Sequence, residues 1–255
     1  MTSDLSVTRD DLIDVVQMLQ SLDALKLIES YRKRPYKFCT ERCRTYDPKA
    51  PPDRRAAQLT RASKALKAVT HFWRLGVDLD VPKSRQVFCS WAMAESGFWE
   101  ALMYQGTVGY IVSENETKSK ELIHRFHYLW EHLDDEQAVP IKNLWQVELY
   151  VDEFRVVSFM GKPWGSEVHS LPQNISAMRQ YGGSWAWVDE GGVHLDFKGL
   201  VQAISPAVRK LVCSGTIGND SWQDRCGYDE LRAFDGPEIS DAPWQDELPR
   251  MQQAA

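Results

Sequence analysis

Apolar residues recur along this chain at helical spacing near its start and at alternating or continuous spacing further on. Leu12, Val15, Val16, Leu19, Leu22 and Leu25 return every three or four residues behind the capping pair Thr8 and Asp11. A helix is therefore expected from Thr8 to about Lys33. Pro35 ends that pattern, and Tyr36 to Asp53, with Pro48, Pro51 and Pro52, reads as an irregular connector. Leu59, Ala62, Leu66, Val69 and Trp73 share one face of a second expected helix, Arg54 to Arg74. Val77 to Val81 is a short strand that turns through Pro82-Lys83-Ser84-Arg85-Gln86 into a helix over Cys89 to Tyr104, whose wide apolar surface suits burial against a sheet. Thr107 to Ser113 reads as a buried strand, and Thr117 to His132 as a helix with Leu122, Ile123, Phe126, Leu129 and Leu133 inward. A hairpin is expected over Gln146 to Val151 and Arg155 to Met160, and a short strand over Glu167 to Leu171. Then come a short helix (Asn174 to Gln180), a strand (Trp185 to Val188) closed by Asp189-Glu190, and a helix (Phe197 to Val208). Leu211 to Ser214 is a last strand, opening into Gly215-Thr216-Ile217-Gly218.

Strands alternating with helices define an α/β fold with a mainly parallel central sheet flanked by helices. Ligands collect at the carboxyl ends of such strands. Three turns of this chain fall there: Lys83 to Ser90, Asp189-Glu190 and Ser214 to Thr216. The organisation expected is an N-terminal helical, basic segment (1–66), an α/β core (67–218) and an acidic, partly ordered tail (219–255).

Composition adds boundaries. At 255 residues and 43% hydrophobic content the chain can bury a full core. No apolar run approaches the ~20 residues of a membrane span, and the polar start MTSDLSVTRDDL does not suit a signal peptide. A cytoplasmic protein with no membrane partner is expected. Its five cysteines lack paired CxxC arrays, so free or buried thiols are expected. The net charge of −6 hides thirteen Lys/Arg against three acids from Tyr31 to Arg74, and nine acids against three arginines from Asp220 on. The basic segment suits either a polyanion contact or a solvated helix face.

The candidate chemistry sits in the three turns. A basic turn between a strand and a helix start presents backbone N–H groups and the positive end of a helix dipole to an anion. Lys83 and Arg85 would add charge, and the Ser90 hydroxyl stands where a Mg²⁺ ligand is needed. The pattern GxxxxGK[ST] is not met, because Phe88 and Cys89 occupy its glycine and lysine positions. The plain alternative is a basic surface turn. Asp189-Glu190 after the apolar SWAWV suits a Mg²⁺-holding aspartate and a water-orienting glutamate, or a polar turn. Sugar hydrolysis finds no support in the scattered tryptophans. His124, His127 and His132 show no HExxH, and no GxSxG elbow is present.

Taken in order, these features resemble a known family. VPKSRQVFCSW resembles the variant phosphate loop of the large terminase subunits of tailed bacteriophages, with its lysine moved to the front. Further likeness lies in Trp99 to Gly106, IVSENETKSKELIHRF, Glu148 to Met160, LPQNISAMRQYGGSWAWVDEGG and LVCSGTIG. It covers about Tyr46 to Gly218 and implies a P-loop NTPase core of the ASCE-like type. By this resemblance, the loop Lys83-Ser84-Arg85-Gln86-Val87-Phe88-Cys89-Ser90 would bind ATP. Lys83 would contact the β/γ-phosphates, Arg85 the γ-phosphate, and Ser90 with Asp189 the Mg²⁺. Glu190 would be the catalytic glutamate. Ser214 and Thr216 would belong to the coupling motif, and Arg179 would reach a neighbouring subunit's site.

The resemblance further implies a DNA-packaging motor that couples Mg-ATP hydrolysis to double-stranded DNA translocation. Its partners would be a homo-oligomeric ring, a portal protein and a small terminase subunit, in the host cytoplasm at the procapsid. The 37 residues after Gly218 are too few for a nuclease domain, so a lone, split or truncated motor module is expected. The alternative is a non-catalytic NTPase-fold module acting in DNA binding or assembly; a helicase-like ATPase is a third. The enzyme reading requires Lys83–Ser90 and Asp189–Glu190 on adjacent strand ends, within reach of one Mg²⁺–phosphate.

Overall fold

The computed structural model describes residues 22–46, 57–82, 89–171, 182–194 and 196–215. Residues 22–33 form helix α1, followed by α2 (Pro35–Arg42) and a small antiparallel pair, β1 (Arg44–Thr45) with β2 (Gln58–Leu59). Helix α3 (Lys64–Leu75) leads to β3 (Leu79–Pro82), and α4 (Cys89–Met103) to β4 (Val108–Val112). Helix α5 (Glu116–Glu131) precedes the meander β5 (Trp145–Tyr150), β6 (Glu153–Phe159) and β7 (Lys162–Leu171). The described chain closes with β8 (Trp185–Val188), α6 (Phe197–Ile204) and β9 (Leu211–Gly215).

Two expectations change. Pro35 starts a helix rather than ending one. It sits in the first turn of α2, where its missing N–H would have had no partner. The connector expected from Tyr36 is therefore helical through Arg42 and pairs as β1 at Arg44–Thr45. The helix expected from Arg54 begins only at Lys64. Ser63 caps it, its Oγ accepting from the Leu66 amide at 3.0 Å, and Gln58–Leu59 is strand instead. Gly76 ends α3 with φ 72°, a left-handed conformation that suits glycine. The short helix expected over Asn174 to Gln180 lies outside the described residues.

Among the described residues the sheet order is β3-β9-β8-β4-β7-β6-β5. The pairings from β3 through β7 are parallel, and β7-β6-β5 is antiparallel. This is the expected α/β fold with a mainly parallel sheet. Alternation along the strands separates two apolar faces. Ile111, Trp185, Trp187 and Val212 pack with α3, α4 and α5, while Tyr110, Val112, Ala186, Val188 and Cys213 pack under α6. Helix α4 is buried along nearly its whole length, which explains its wide apolar surface.

Two glycines make the first face possible. A Cβ on Gly109 would lie 2.1 Å from the Trp185 ring, and one on Gly97 would lie 2.9 Å from it. The indole fills the slot between α4 and β4. At the amino end of β9, Lys210 is buried with its Nζ 2.6 Å from Glu100 Oε2 of α4, where Trp73 Nε1 also donates at 2.6 Å. Breaking one side of such a buried pair strands the other charge. That network ties α3, α4 and β9 at the end of the sheet opposite the candidate site.

Part of the basic segment is consumed inside the fold. Arg42 is buried and bonds Asp134 Oδ1 at 2.9 Å and the Tyr31 hydroxyl at 2.8 Å. Burial dominates at Tyr31 and pushes its phenol up to about 12. Arg44, also buried, donates to the Asp135 carbonyl and Glu136 Oε2, both at 2.9 Å. These two arginines clamp the loop after α5 rather than face an external polyanion. Cys39, Cys43, Cys89 and Cys213 are buried and not joined in disulfides.

Candidate active site

The parallel register sets which strand ends meet. Val81 of β3 lies opposite Ser214 of β9, and Cys213 lies opposite Val188 of β8. Strand β9 therefore stands between β3 and β8, so the strand ends expected to be adjacent are next-but-one neighbours. At about 4.8 Å per strand the two ends are roughly 10 Å apart. Beyond the end of β3 the chain resumes as α4, with Cys89 as its first residue and Ser90 as its second.

Asp189 follows β8 directly and is buried, 6% exposed. Its amide donates to the Val112 carbonyl at 2.8 Å, holding the turn against the end of β4. Its carboxylate is held by a directed chain. Trp187 Nε1 donates to Ser214 Oγ at 2.8 Å, and Ser214 Oγ donates to Asp189 Oδ1 at 2.8 Å. An indole N–H can only donate, so the Ser214 hydroxyl accepts from it and turns its own proton toward Asp189. His194, fully buried, closes the other side, its Nε2 lying 2.9 Å from the Asp189 carbonyl. Since that carbonyl only accepts, the proton sits on Nε2, and burial lowers the imidazole pKa toward the neutral form.

Glu190 stands next in chain with φ 55° and ψ 49°, a left-handed conformation rare for a residue with a Cβ. It caps the 3-10 turn Gly191–Val193, the Val193 amide donating to its carbonyl at 3.0 Å. The end of β9 presses on this turn. A Cβ at Gly215 would lie 2.5 Å from Gly191 N and 2.9 Å from Glu190 Cα. Only a glycine admits that approach, so Ser214-Gly215 and Asp189-Glu190 form one fitted unit across two strands.

The structure thus brings together Asp189, Glu190 and Ser214, with Ser90 at the start of α4. Lys83, Ser84, Arg85, Gln86, Val87, Phe88, Thr216 and Arg179 lie outside the described residues. The histidines of α5 do not converge on one centre: His127 Nε2 lies 3.3 Å from the Glu153 carbonyl, and His132 Nδ1 lies 2.9 Å from Asp135. Glu153, Glu167 and His169 approach one another on β6 and β7, but the Arg155 guanidinium lies on Glu153 and 4.0 Å from Glu167. An arginine in that position neutralises the carboxylates.

Two residues of the site escaped sequence reasoning. Trp187 was readable, since it lies two positions before Asp189 and so on the same side of its strand. Gly215 had no signal until β9 was placed beside β8.

In fold the chain is thus α/β, with a seven-stranded, mainly parallel sheet flanked by helices among the described residues. The sequence matches no family model and no curated protein. Among solved structures, the HK97 bacteriophage large terminase aligns over 82% of this chain and 45% of that one, with TM-score 0.54 at 12% identity. The Thermus phage P74-26 large terminase ATPase domain covers 61% of this chain and 67% of that one, with TM-score 0.48 at 16% identity. The large terminase of a thermophilic bacteriophage, in complex with ADP, covers 61% and 39%, with TM-score 0.46 at 12% identity. The resemblance drawn from the sequence holds at the level of the fold, and this chain spans less than half the length of the HK97 protein. Among the described residues no helix is long and apolar enough to cross a membrane.

Proposed function

We propose that this chain is an ATP-hydrolysing motor module of the phage terminase kind, driving double-stranded DNA with Mg-ATP. The observation that carries the reading is the fitted unit at the carboxyl ends of β8 and β9. There Asp189 is held by Ser214, and the Glu190 turn is pressed against Gly215.

Each residue then has a role. Asp189, with one oxygen fixed by Ser214, and the Ser90 hydroxyl form a donor set of a carboxylate and an alcohol. That set fits Mg²⁺, a hard cation that keeps much of its water. The metal, when bound, would neutralise charge on the transferring phosphoryl group. Glu190 orients and deprotonates the attacking water, and its left-handed backbone fixes the direction of the side chain. Ser214, bonded to Asp189 and one residue from the contact with the Glu190 turn, transmits nucleotide state into β9. Lys83 and Arg85 of the preceding loop would hold the phosphates, and Thr216 would extend the coupling segment. Arg179 would act on the neighbouring subunit of a homo-oligomeric ring. The portal protein, the small terminase subunit and the host cytoplasm at the procapsid belong to the same proposal.

The test is ATP turnover by the chain with and without linear double-stranded DNA, compared with Glu190→Gln. The reading predicts turnover in the wild type and a loss of about 10²–10⁴-fold in the variant, as for a removed general base. Absent turnover, with DNA binding retained, would instead favour a non-catalytic NTPase-fold module acting in DNA binding or assembly.

A further inference from the structure

Arg125 stands out among the charges of the helices. It is half-buried on α5, between the buried Leu122 and Leu129. Its guanidinium lies 5.5 Å above the ring of Trp91, the third residue of α4. Its Nη1 is sealed from water and has no hydrogen-bond partner among the described residues. A guanidinium cannot shed its charge at any ordinary pH, so an unsatisfied buried N–H of this kind is costly. Burial pushes its pKa down, and the Asp189 carboxylate, foremost among nearby groups, pulls it back up. The Nη1 donor thus sits within electrostatic reach of Asp189 and beside Trp91 in the first turn of α4.

Stacking on Trp91 fixes the plane of the guanidinium before any ligand arrives. A planar fork held over an indole is pre-organised, so little side-chain freedom is lost when it meets an anion. A carboxylate alone does not account for the position, because Asp189 already has one oxygen committed to Ser214. A ligand phosphate would complete the donor.

We propose that Arg125 is a nucleotide-sensing residue whose Nη1 donates to the terminal phosphate of a bound nucleoside triphosphate, so that triphosphate is bound in preference to diphosphate. This rests on the nucleotide reading of the same site. It adds to that reading an arginine from within the same chain, carried on a helix rather than on the phosphate-binding turn. Loss of the terminal phosphate would remove that partner from Nη1 and let α5 report the change through its contact with Trp91.

The experiment compares the affinities of a non-hydrolysable ATP analogue and of ADP, both with Mg²⁺, for the wild type, Arg125→Gln and Arg125→Lys. Thermal melting without nucleotide shows which variant keeps the wild-type fold. The expected result is a loss of about 10- to 100-fold in analogue affinity for Arg125→Gln, the size of a charge-assisted hydrogen bond to phosphate. ADP affinity should change less than about threefold, and Arg125→Lys should fall between. If Arg125→Gln does not fold, Arg125→Lys carries the comparison, because it keeps the apolar stem and the charge. An unchanged ratio of analogue to ADP affinity in a folded variant overturns the role of Arg125 and leaves the nucleotide site standing. A wild type that binds neither nucleotide overturns both.

Discussion

Glu95 offers a direct test of the packing. It lies on α4 with no exposed surface, near Cys39 and Cys43, and burial raises its carboxyl from 4.5 to about 8. One oxygen meets Thr60 Oγ1, which also lies 3.2 Å from the Cys43 carbonyl, while Oε2 has no partner among the described residues. Thr60 has one proton for two acceptors. Given to the carbonyl, it leaves the hydroxyl to accept from a protonated Glu95, which matches the raised value.

The consequence for stability has a definite sign. Below pH 4.5 the acid is protonated whether the chain is folded or unfolded. Above that value the unfolded chain loses the proton while the folded chain keeps it until about pH 8. Stability is therefore fully present below the lower value and falls as pH rises through the window, by about 1.4 kcal/mol per pH unit. Summed across the window the loss is on the order of 5 kcal/mol, against a typical total of about 5–15 kcal/mol.

Glu95→Gln keeps the shape, can donate to Thr60 and carries no charge in either state. Urea unfolding at pH steps between 4.5 and 8.5 measures the effect. The two proteins should match within about 1 kcal/mol at the acid end and diverge by about 5 kcal/mol at the basic end, with the variant the more stable. The difference between the curves removes the slope contributed by His71, His127 and His194, whose pKa values burial lowers in both proteins. Parallel curves would refute a neutral, buried Glu95.

Other outcomes follow from the site. Ser214→Ala leaves the buried Trp187 N–H and Asp189 Oδ1 without their shared partner. It should cost about 1–3 kcal/mol in unfolding free energy. Gly215→Ala forces a Cβ to within 2.5 Å of Gly191 N. It should lower stability by about 1–3 kcal/mol and reduce ATP turnover more than nucleotide affinity, measured side by side.

Much of the fold was legible because its elements obey one period at a time. Trp185–Val188 and Leu211–Gly215 are continuous apolar runs bounded by polar turns, and α5 carries its apolar residues at helical spacing behind the Asn115 cap. Two local ambiguities misled. Leu59, Ala62 and Leu66 fit a helical stripe, but tertiary pairing with Arg44 takes Gln58–Leu59 into a strand, and Ser63 marks the true start. Pro35 was read as a stop although proline is equally at home in a first helical turn.

The chemistry was readable only in pieces. Asp189-Glu190 was visible because acids after a buried apolar run are costly without a purpose. The bond from Ser214 to Asp189 and the closeness of Gly215 to Glu190 depend on β9 lying beside β8. No spacing along the chain contains that neighbourhood. The basic segment was ambiguous for the same reason, since Arg42 and Arg44 find Asp134 and Glu136 some ninety residues away.

The central claim is that the carboxyl ends of β3, β9 and β8, with the start of α4, form a Mg²⁺-dependent nucleotide site. Isothermal titration of the whole chain with a non-hydrolysable ATP analogue, in the presence of Mg²⁺ and again in EDTA, tests it most directly. The account predicts saturable binding with Mg²⁺ that weakens by at least about tenfold in EDTA and in Asp189→Asn. No heat of binding to the folded wild-type chain under either condition would contradict it.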